Sequence, residues 1–211
     1  MVMMPIARIN IPAVTDARGS LAYIERGGEI PFSPASVELV AASGPLSSGP
    51  GIVVALRGSL TVGALTVETP ADGLLFDSGS GMELSPGGVA LVARPVRCGI
   101  EVPFDMRRIY YIWDIPAGCT RGGHAHLRQR SLLMAASGSF DLTCDDGVRR
   151  TCRHLTSGCR PVAVGAGEWR TLHGFSPDAV VLAVASTCYD PTDYLYDHEQ
   201  FLRRRATLSV S

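Results

Sequence analysis

Short apolar runs alternate with polar residues along most of the chain, and glycines or prolines separate one run from the next. β-Branched, aliphatic and aromatic side chains dominate five of these runs, as is typical of strands: residues 52–62, 107–115, 131–144, 161–169 and 179–186. Gly58 divides the first run, and Asp145-Asp146-Gly147 after the third predicts a tight turn that closes a hairpin. The pattern predicts an all-β barrel or sandwich.

One segment near the C-terminus, residues 191–205, instead favours a helix. Pro191 stands near its start, where a helix tolerates proline. Its apolar, aromatic and histidine positions recur at helical spacing: Tyr194, Leu195, His198, Phe201 and Leu202. We therefore expect one short C-terminal helix after the last strand.

An internal repeat indicates two copies of one β unit. Three anchors recur in the same order: Ile30-Pro31-Phe32 as Val102-Pro103-Phe104, Val37–Val40 as Ile109–Ile112, and Ala55–Ser59 as Ala135–Ser139. The second copy is longer between the last two anchors, where it carries RGGHAH and the first copy has SGPLSSGPG without histidine. Coincidence among short apolar strands is the alternative. The repeat predicts a degenerate half over residues 1–99 and a complete domain over residues 100–211.

Composition limits the classes of function. The 211 residues are 46% hydrophobic, enough for the core of one large or two small domains, and the net charge of −1 offers no field for nucleic acid or anionic lipid. No apolar run approaches the ~18 residues of a membrane span, and the N-terminus lacks the apolar core of a signal peptide. The six cysteines form no CxxC pair, so we expect reduced thiols and a cytoplasmic protein.

The stretch RGGHAHLRQR, residues 121–130, carries the clearest candidate chemistry. His124 and His126 are two residues apart, so on a strand both project from the same face. They could pack, bind a metal ion or transfer protons near pH ~6.5. Arg128 and Arg130 follow without a carboxylate, a poor setting for a metal dication and a better one for an anion such as phosphate. We therefore predict no metal site.

The segment RRIYYIWDIPAGCTRGGHAHLRQRSLLMAASGSFDLTCDDG resembles the cupin sugar-nucleotide 3,4-ketoisomerases, which act on dTDP-4-keto-6-deoxyglucose. The resemblance continues through VAVGAGEW, LHGFSPDAVVLAVAS and YDPTDYLYDHEQFL, and includes TDARGSLAYIE near the N-terminus. It covers about residues 101–202 and this N-terminal element. It implies an all-β cupin, or jelly-roll barrel, here in tandem, with the degenerate copy at the N-terminus and the complete copy after it.

The resemblance also implies a reaction, in which the ketone moves from C4 to C3 of the hexose through an enediol without metal or redox cofactor. His124 would then move the carbon proton and His126 would serve the oxygens or position the substrate, although the two roles are interchangeable at this stage. Tyr111 would donate a hydrogen bond to the enediol, unless it is an ordinary core aromatic residue.

Four further residues are candidates for binding a dTDP-linked keto-deoxysugar. Arg121 would pair with the diphosphate, or only anchor its own loop. Tyr110, Trp169 and Arg170 would line the pocket, and Trp169 is otherwise a core residue. Short family members are homodimers of single cupins, so here either two chains associate or the first copy acts as a built-in partner.

The chain departs from the family pattern along the expected pocket wall. Leu127 and Arg128 stand where lysines are usual, and Ser131 stands where a glutamine enters the next strand. Ala163 replaces a tyrosine and Thr171 a glutamate. These changes leave two alternatives open: a nucleotide-sugar 3,5-epimerase, and a sugar-nucleotide-binding cupin without catalysis.

Overall fold

The computed structural model describes residues 6–25, 34–46, 51–68, 70–76, 80–94, 100 and 102–208. The anchor Ile30-Pro31-Phe32 and Cys98 lie outside these residues. In chain order, the strands are β1 (Ala7–Asn10), β2 (Ala13–Asp16), β3 (Gly19–Glu25), β4 (Ser36–Val40), β5 (Gly44–Leu46), β6 (Gly51–Arg57), β7 (Leu60–Val62), β8 (Leu65–Val67), β9 (Asp72–Phe76), β10 (Ser80–Leu84), β11 (Val89–Arg94), β12 (Arg108–Trp113), β13 (Arg121–His126), β14 (Ser131–Ser137), β15 (Ser139–Asp145), β16 (Arg150–Thr156), β17 (Val162–Val164), β18 (Trp169–His173), β19 (Val180–Ala185) and β20 (Tyr194–Leu195). A 3-10 helix spans Pro191–Asp193, and the α-helix α1 spans His198–Leu208.

The prediction of an all-β fold with one short C-terminal helix is confirmed. The predicted start of that helix was wrong, because α1 begins only at His198 and Tyr194–Leu195 forms a strand that pairs with β13. The side chain of Asp190 accepts a hydrogen bond from the amide of Thr192 and confines the turn to Pro191–Asp193. Backbone pairing with a neighbouring strand thus outweighs the helical spacing of the side chains.

The chain divides into two compact units. The described residues of Met1–Val14 and Ala22–Arg107 form the first unit, with two antiparallel sheets in the orders β1-β9-β6-β11-β4 and β5-β10-β7-β8. Both sheets contribute to one apolar core, which includes Val53, Leu60 and Met82. The first unit is therefore a two-layer β-sandwich.

Thr15–Leu21 and the described residues of Arg108–Ser211 form the second unit. One sheet has the order β17-β14-β19-β12 and continues with the parts of β3 and β2 that belong to this unit, and the other has the order β16-β15-β18-β13-β20. The core between the sheets includes Leu133, Phe140 and Val181. This unit is also a β-sandwich, with α1 following its last strand.

The two sandwiches share one strand order. Strands β4 to β11 of the first unit correspond in chain order to β12 to β19 of the second, and the two sheets of each unit list these counterparts in the same sequence. The correspondence matches β4 with β12 and β6 with β14, as the sequence anchors do. It supports the predicted duplication, while the functional division at residues 99 and 100 stays a prediction.

In the described part of the chain, no helix has the length and apolar character needed to cross a membrane. The described cysteines, at positions 119, 144, 152, 159 and 188, are free thiols.

Candidate active site

A β-bulge at the start of β13 decides which side chains face the interior of the second sandwich. Arg121 pairs with Leu172 and His124 with Arg170, so Gly123 is the extra residue between two regular pairs. Gly122 has a φ of +79°, and a Cβ atom there would lie 2.7 Å from the carbonyl oxygen of Arg170. Only glycine fits this conformation and this approach.

The bulge brings three polar side chains to one face. In an antiparallel pair, directly opposed residues point to the same side of the sheet. Leu172 belongs to the core between the sheets, so its partner Arg121 faces inward too. Without the extra residue, the odd spacing from Arg121 to His124 would turn them to opposite faces. The Arg-Gly-Gly sequence therefore places Arg121, His124 and His126 together.

His124 is a neutral imidazole with one nitrogen available. Burial and the nearby Arg170 lower its pKa from 6.5 to about 4, against a smaller opposing effect of its hydrogen bond to the backbone of Gly122. Because only an N–H can donate to a carbonyl oxygen, the other ring nitrogen carries a free lone pair at neutral pH. This nitrogen can accept a proton from a bound molecule.

His126 is held on both sides of its ring. Its side chain is only 1% exposed, its Nε2 lies 3.2 Å from Nε2 of Gln129, and its Nδ1 lies 3.2 Å from Oδ2 of Asp193, without hydrogen-bond geometry in the latter case. Burial, followed by Arg170, His124 and Arg108, lowers the pKa of His126 to about 2. His126 is therefore neutral and less accessible than His124.

Arg170 brings an uncompensated charge to the histidines. Its side chain is 2% exposed, Nη1 donates to the hydroxyl of Ser131 at 3.2 Å, and Nε and Nη2 make no hydrogen bond with the described residues. Burial lowers the pKa of its guanidinium. A buried cation without a carboxylate partner is costly to the fold, so this arrangement suits a bound anion or a developing negative charge.

Two tyrosines, one in β20 and one just after it, pack against the histidines. Tyr194 pairs with His126 across β13 and β20, and its ring centroid lies 4.3 Å from that of His126 and 4.9 Å from that of His124. Its hydroxyl is hydrogen-bonded to the guanidinium of Arg108, while burial raises its pKa. Tyr196 stacks on Tyr194 at 5.6 Å and is 66% exposed. Tyr194 therefore presents a polarised hydroxyl beside both imidazoles.

The two neighbouring tyrosines of β12 face opposite ways. Tyr110 pairs with Ala183, which belongs to the core between the sheets, and the guanidinium of Arg108 lies 4.8 Å from its ring centroid. Tyr111 is fully buried on the other face, 5.7 Å from the ring of Trp113, and burial raises its pKa. The structure thus brings Tyr110, and not the predicted hydrogen-bond donor Tyr111, to the side of Arg170 and Tyr194.

Trp169 also lies away from the histidines. It pairs with Ala125 on the face of β18 opposite Arg170, and its ring contacts His198 and Phe201 of α1 at 4.8 and 5.7 Å. Trp169 is half-buried and packs against the helix on the face of the sheet away from Arg170. Trp169 therefore does not join the predicted pocket lining.

Arg121 lies on the inner face with a largely unused guanidinium. Its side chain is 9% exposed, Nη1 is 3.9 Å from Oδ1 of Asp16, and Nε and Nη2 make no hydrogen bond with the described residues. Asp16 is engaged more closely by Arg18, at 2.6 Å. The position of Arg121 on the inner face is compatible with binding an anionic group, and the diphosphate role implied by the family resemblance stays a prediction.

No group of three or more His, Cys, Asp or Glu side chains in the described ranges is arranged to hold a metal ion. The inner face of β13 instead combines imidazoles with the guanidiniums of Arg121 and Arg170, as expected for an anion site.

Four residues at this site were not among those predicted from the sequence, although a signal for Tyr194 was present: Arg108, Gln129, Asp193 and Tyr194. Tyr194 and Tyr196 alternate with Leu195, which is the period of a strand, but the longer helical pattern concealed it. Gln129 and Asp193 are remote in sequence and meet only because the turn after β13 docks on the 3-10 helix, where Asp193 accepts hydrogen bonds from the amides of Arg128 and Gln129.

Fold and site together place two neutral imidazoles beside two buried guanidiniums on one face of an antiparallel β-sandwich, a combination suited to acid–base chemistry. The family model described as FdtA: WxcM-like, C-terminal matches residues 94–206, more than half of the chain. The chain therefore belongs to this family.

Individual relatives agree with the family. The TDP-4-oxo-6-deoxy-alpha-D-glucose-3,4-oxoisomerase of Aneurinibacillus thermoaerophilus is 34% identical over 110 residues, which are 52% of this chain and 79% of the relative. QdtA, a sugar 3,4-ketoisomerase from Thermoanaerobacterium thermosaccharolyticum solved in complex with TDP, is 27% identical with a TM-score of 0.50, over 54% of this chain and 82% of its own. WlaRA, a TDP-fucose-3,4-ketoisomerase from Campylobacter jejuni, is 30% identical with a TM-score of 0.48, over 49% and 76% of the two chains.

Proposed function

We propose that this protein is a sugar-nucleotide 3,4-ketoisomerase, which moves the ketone of a TDP-linked 4-keto-6-deoxyhexose from C4 to C3. The family membership and the named activities of its relatives support this reaction, and they do not favour the alternative 3,5-epimerase. The second unit carries the chemistry, since all five histidines of the chain lie within it.

His124 is the carbon base. The C3 hydrogen of the substrate is acidic because it lies next to the C4 carbonyl, and the free ring nitrogen of His124 removes it as a proton. The electrons of the C–H bond move into a C3–C4 double bond, and negative charge develops on O4. Arg170, directly opposite His124 in the strand pair, stabilises this charge through the N–H groups of Nε and Nη2, which make no hydrogen bond with the described residues.

Tyr194 handles the oxygen protons. Its hydroxyl accepts a hydrogen bond from Arg108 and can donate its own proton to O4, giving the enediol. The tyrosinate then takes the proton of O3, the C3 carbonyl forms, and the imidazolium of His124 returns a proton to C4. Both groups recover their initial protonation states, so the isomerisation is balanced without an oxidant or reductant.

The low pKa of His124 is compatible with this role because it describes the site without substrate. An anionic diphosphate at Arg121 and a developing oxyanion at Arg170 would offset the positive field that disfavours the imidazolium. The basicity of His124 therefore rises as the reaction begins, which is when a base is required.

A single observation carries the proposal: a neutral imidazole with a free nitrogen lies beside a buried guanidinium that the described chain leaves uncompensated. Packing alone would favour an apolar residue at either position, because an unpaired buried charge destabilises a fold. A ligand that develops negative charge next to His124 explains both residues together.

Product analysis in deuterium oxide tests the function. The purified protein is incubated with TDP-4-keto-6-deoxyglucose, and carbon and proton NMR follow the ketone and the deuterium. We expect a C3 ketone with deuterium at C4. A ketone that stays at C4 with deuterium at C3 and C5 would instead identify an epimerase, and tight binding without any exchange would identify a non-catalytic binding protein.

Two predictions about partners remain open to experiment. The first unit acts as a built-in partner that leaves one active site per chain, and association into a homodimer is the alternative. Titration of the purified protein with TDP, combined with its mass in solution, gives the number of sites per chain and the number of chains per particle.

A further inference from the structure

Gln129 lies at the centre of a buried hydrogen-bonded chain behind the two histidines. Its Nε2 is 3.2 Å from Nε2 of His126 and 3.0 Å from the hydroxyl of Ser131, and its Oε1 accepts from the hydroxyl of Thr187 at 3.2 Å. The side chain of Gln129 is 1% exposed. In this orientation of the amide, its nitrogen and its oxygen each have hydrogen-bond partners.

The orientation of the amide determines the tautomer of His126. An amide nitrogen can only donate, so Nε2 of His126 must accept and the ring proton must reside on Nδ1. Nδ1 faces the carboxylate of Asp193, which also accepts from the amides of Arg128 and Gln129 at 2.8 and 3.1 Å. A neutral ring in this tautomer directs its Nε2 lone pair to Gln129 and carries its proton on Nδ1, so it has no free lone pair for a substrate proton.

The same amide also reaches Arg170. Ser131 is fully buried and accepts one hydrogen bond from Gln129 and another from Nη1 of Arg170. The chain Asp193–His126–Gln129–Ser131–Arg170 therefore connects the C-terminal turn to the guanidinium opposite His124. All five of its side chains are buried.

We infer that Gln129 is a positioning residue, which locks His126 as the Nδ1-protonated tautomer and, through Ser131, aims Arg170 at the oxygen that becomes negative. The catalytic consequence rests on the proposed function, whereas the tautomer of His126 does not. His126 accordingly supports the site and leaves the proton transfers to His124 and Tyr194.

The test replaces Gln129 with Glu, which keeps the shape but removes the amide donor. Long-range nitrogen–proton NMR on histidine-labelled protein should show Nδ1–H and a bare Nε2 for His126 in the wild type, and a protonated Nε2 in Gln129→Glu. Gln200→Glu on the exposed face of α1 is the matched control and should leave the His126 signals unchanged.

The kinetic arm separates binding from catalysis. In Gln129→Glu we expect kcat to fall by about 10 to 100-fold with KM nearly unchanged, because Arg170 loses its alignment and not its charge. Ser131→Ala should lower kcat while leaving the His126 tautomer as in the wild type, and it serves as the second variant if Gln129→Glu does not fold.

Two results would overturn the inference: an Nε2-protonated His126 in the wild type, or wild-type kcat in both Gln129→Glu and Ser131→Ala. If the wild type shows no ketoisomerase activity, the proposed function fails, and the NMR measurement alone still decides whether Gln129 fixes the tautomer.

Discussion

The two sandwiches of this chain treat a buried arginine in opposite ways. In the first unit, Arg94 lies 3.3 Å from the carboxylate of Glu38 and 5.5 Å from the ring centroid of Phe76. In the second unit, Arg170 donates to the hydroxyl of Ser131, while its Nε and Nη2 make no hydrogen bond with the described residues. The first arrangement is what stability requires, and the second is what a binding site requires, so equal architecture does not imply equal function.

The same contrast appears in the strands that carry the site. β13 offers Arg121, His124 and His126, whereas its counterpart β5 reads Gly44-Pro45-Leu46, with Leu46 in the apolar core. Opposite β5, Met82 fills the core, and opposite β13, Arg170 faces the histidines. At these positions the first unit has apolar side chains that pack in its core, whereas the second unit has histidines and arginines. Two sandwiches with the same strand order thus differ in the residues that they offer for chemistry, because one fills with apolar side chains the positions where the other holds polar ones.

Replacing each buried arginine should have the largest effects and should affect the two units differently. In Arg170→Met we expect ketoisomerase activity to fall by about 10² to 10³-fold, because charge on O4 loses its stabilising donor. The free energy of unfolding should stay constant or rise, because an uncompensated buried charge disappears. In Arg94→Met, unfolding should become easier by about 1 kcal/mol while activity persists. Enzyme assays and urea titrations of both variants measure these effects.

If turnover is unchanged in Arg170→Met, the unpaired guanidinium does not stabilise charge on O4. A large loss of stability in that variant would assign Arg170 to the fold instead.

Glycine substitutions compare the stability of the counterpart strands β13 and β5. Gly122→Ala should destabilise the protein by about 1 to 3 kcal/mol, because φ is +79° and the new Cβ would meet the carbonyl oxygen of Arg170 at 2.7 Å. Gly44→Ala should change stability by less than about 0.5 kcal/mol, since nothing lies within 4 Å of its Cβ position. Thermal or urea unfolding of the two variants provides the measurement. Equal changes in stability at the two glycines would show that the bulge in β13 does not require glycine at position 122.

Acid should weaken the second unit and spare the first. Unfolded histidine has a pKa near 6.5, whereas His124 and His126 keep their neutral form down to about pH 4 and about pH 2. Between pH 6.5 and 4 the unfolded state therefore binds more protons, and stability falls as pH falls. The loss is at most about 1.4 kcal/mol per pH unit for His126 and smaller for the half-buried His124, which solvent screens.

Hydrogen exchange at pH 7 and pH 5 resolves this difference by strand. Protection in β14 and β19 should decline more than in the counterparts β6 and β11, because the first unit contains no histidine. An equal decline in both units would assign the acid sensitivity to carboxylates.

Sequence patterns predicted the parts of this molecule that local physics controls. Runs of β-branched, aliphatic and aromatic residues located strands such as β6, β12, β14 and β19, and Asp145-Asp146-Gly147 closed the hairpin between β15 and β16. The spacing of His124 and His126 placed both rings on one face. These features depend on the period of a strand and on turn chemistry, which neighbouring residues determine.

The remaining site depends on register and on distant contacts. Which of Tyr110 and Tyr111 faces inward follows from pairing with β19, and no local pattern distinguishes two adjacent tyrosines. The bulge at Gly123 shifts Arg121 to the inner face, against the parity of an unbroken strand. Ser131 was noted as a missing glutamine, yet Gln129 supplies an amide to its hydroxyl from two residues earlier.

Hydrogen exchange at C3 of the substrate tests the central claim most directly. In deuterium oxide with TDP-4-keto-6-deoxyglucose, wild-type protein should exchange or transfer the C3 hydrogen, and His124→Asn should do so about 10² to 10⁴-fold more slowly with unchanged affinity for TDP. His154→Asn, at an exposed histidine paired with Asp141, is the control and should behave as the wild type. Wild-type exchange in His124→Asn would contradict the account.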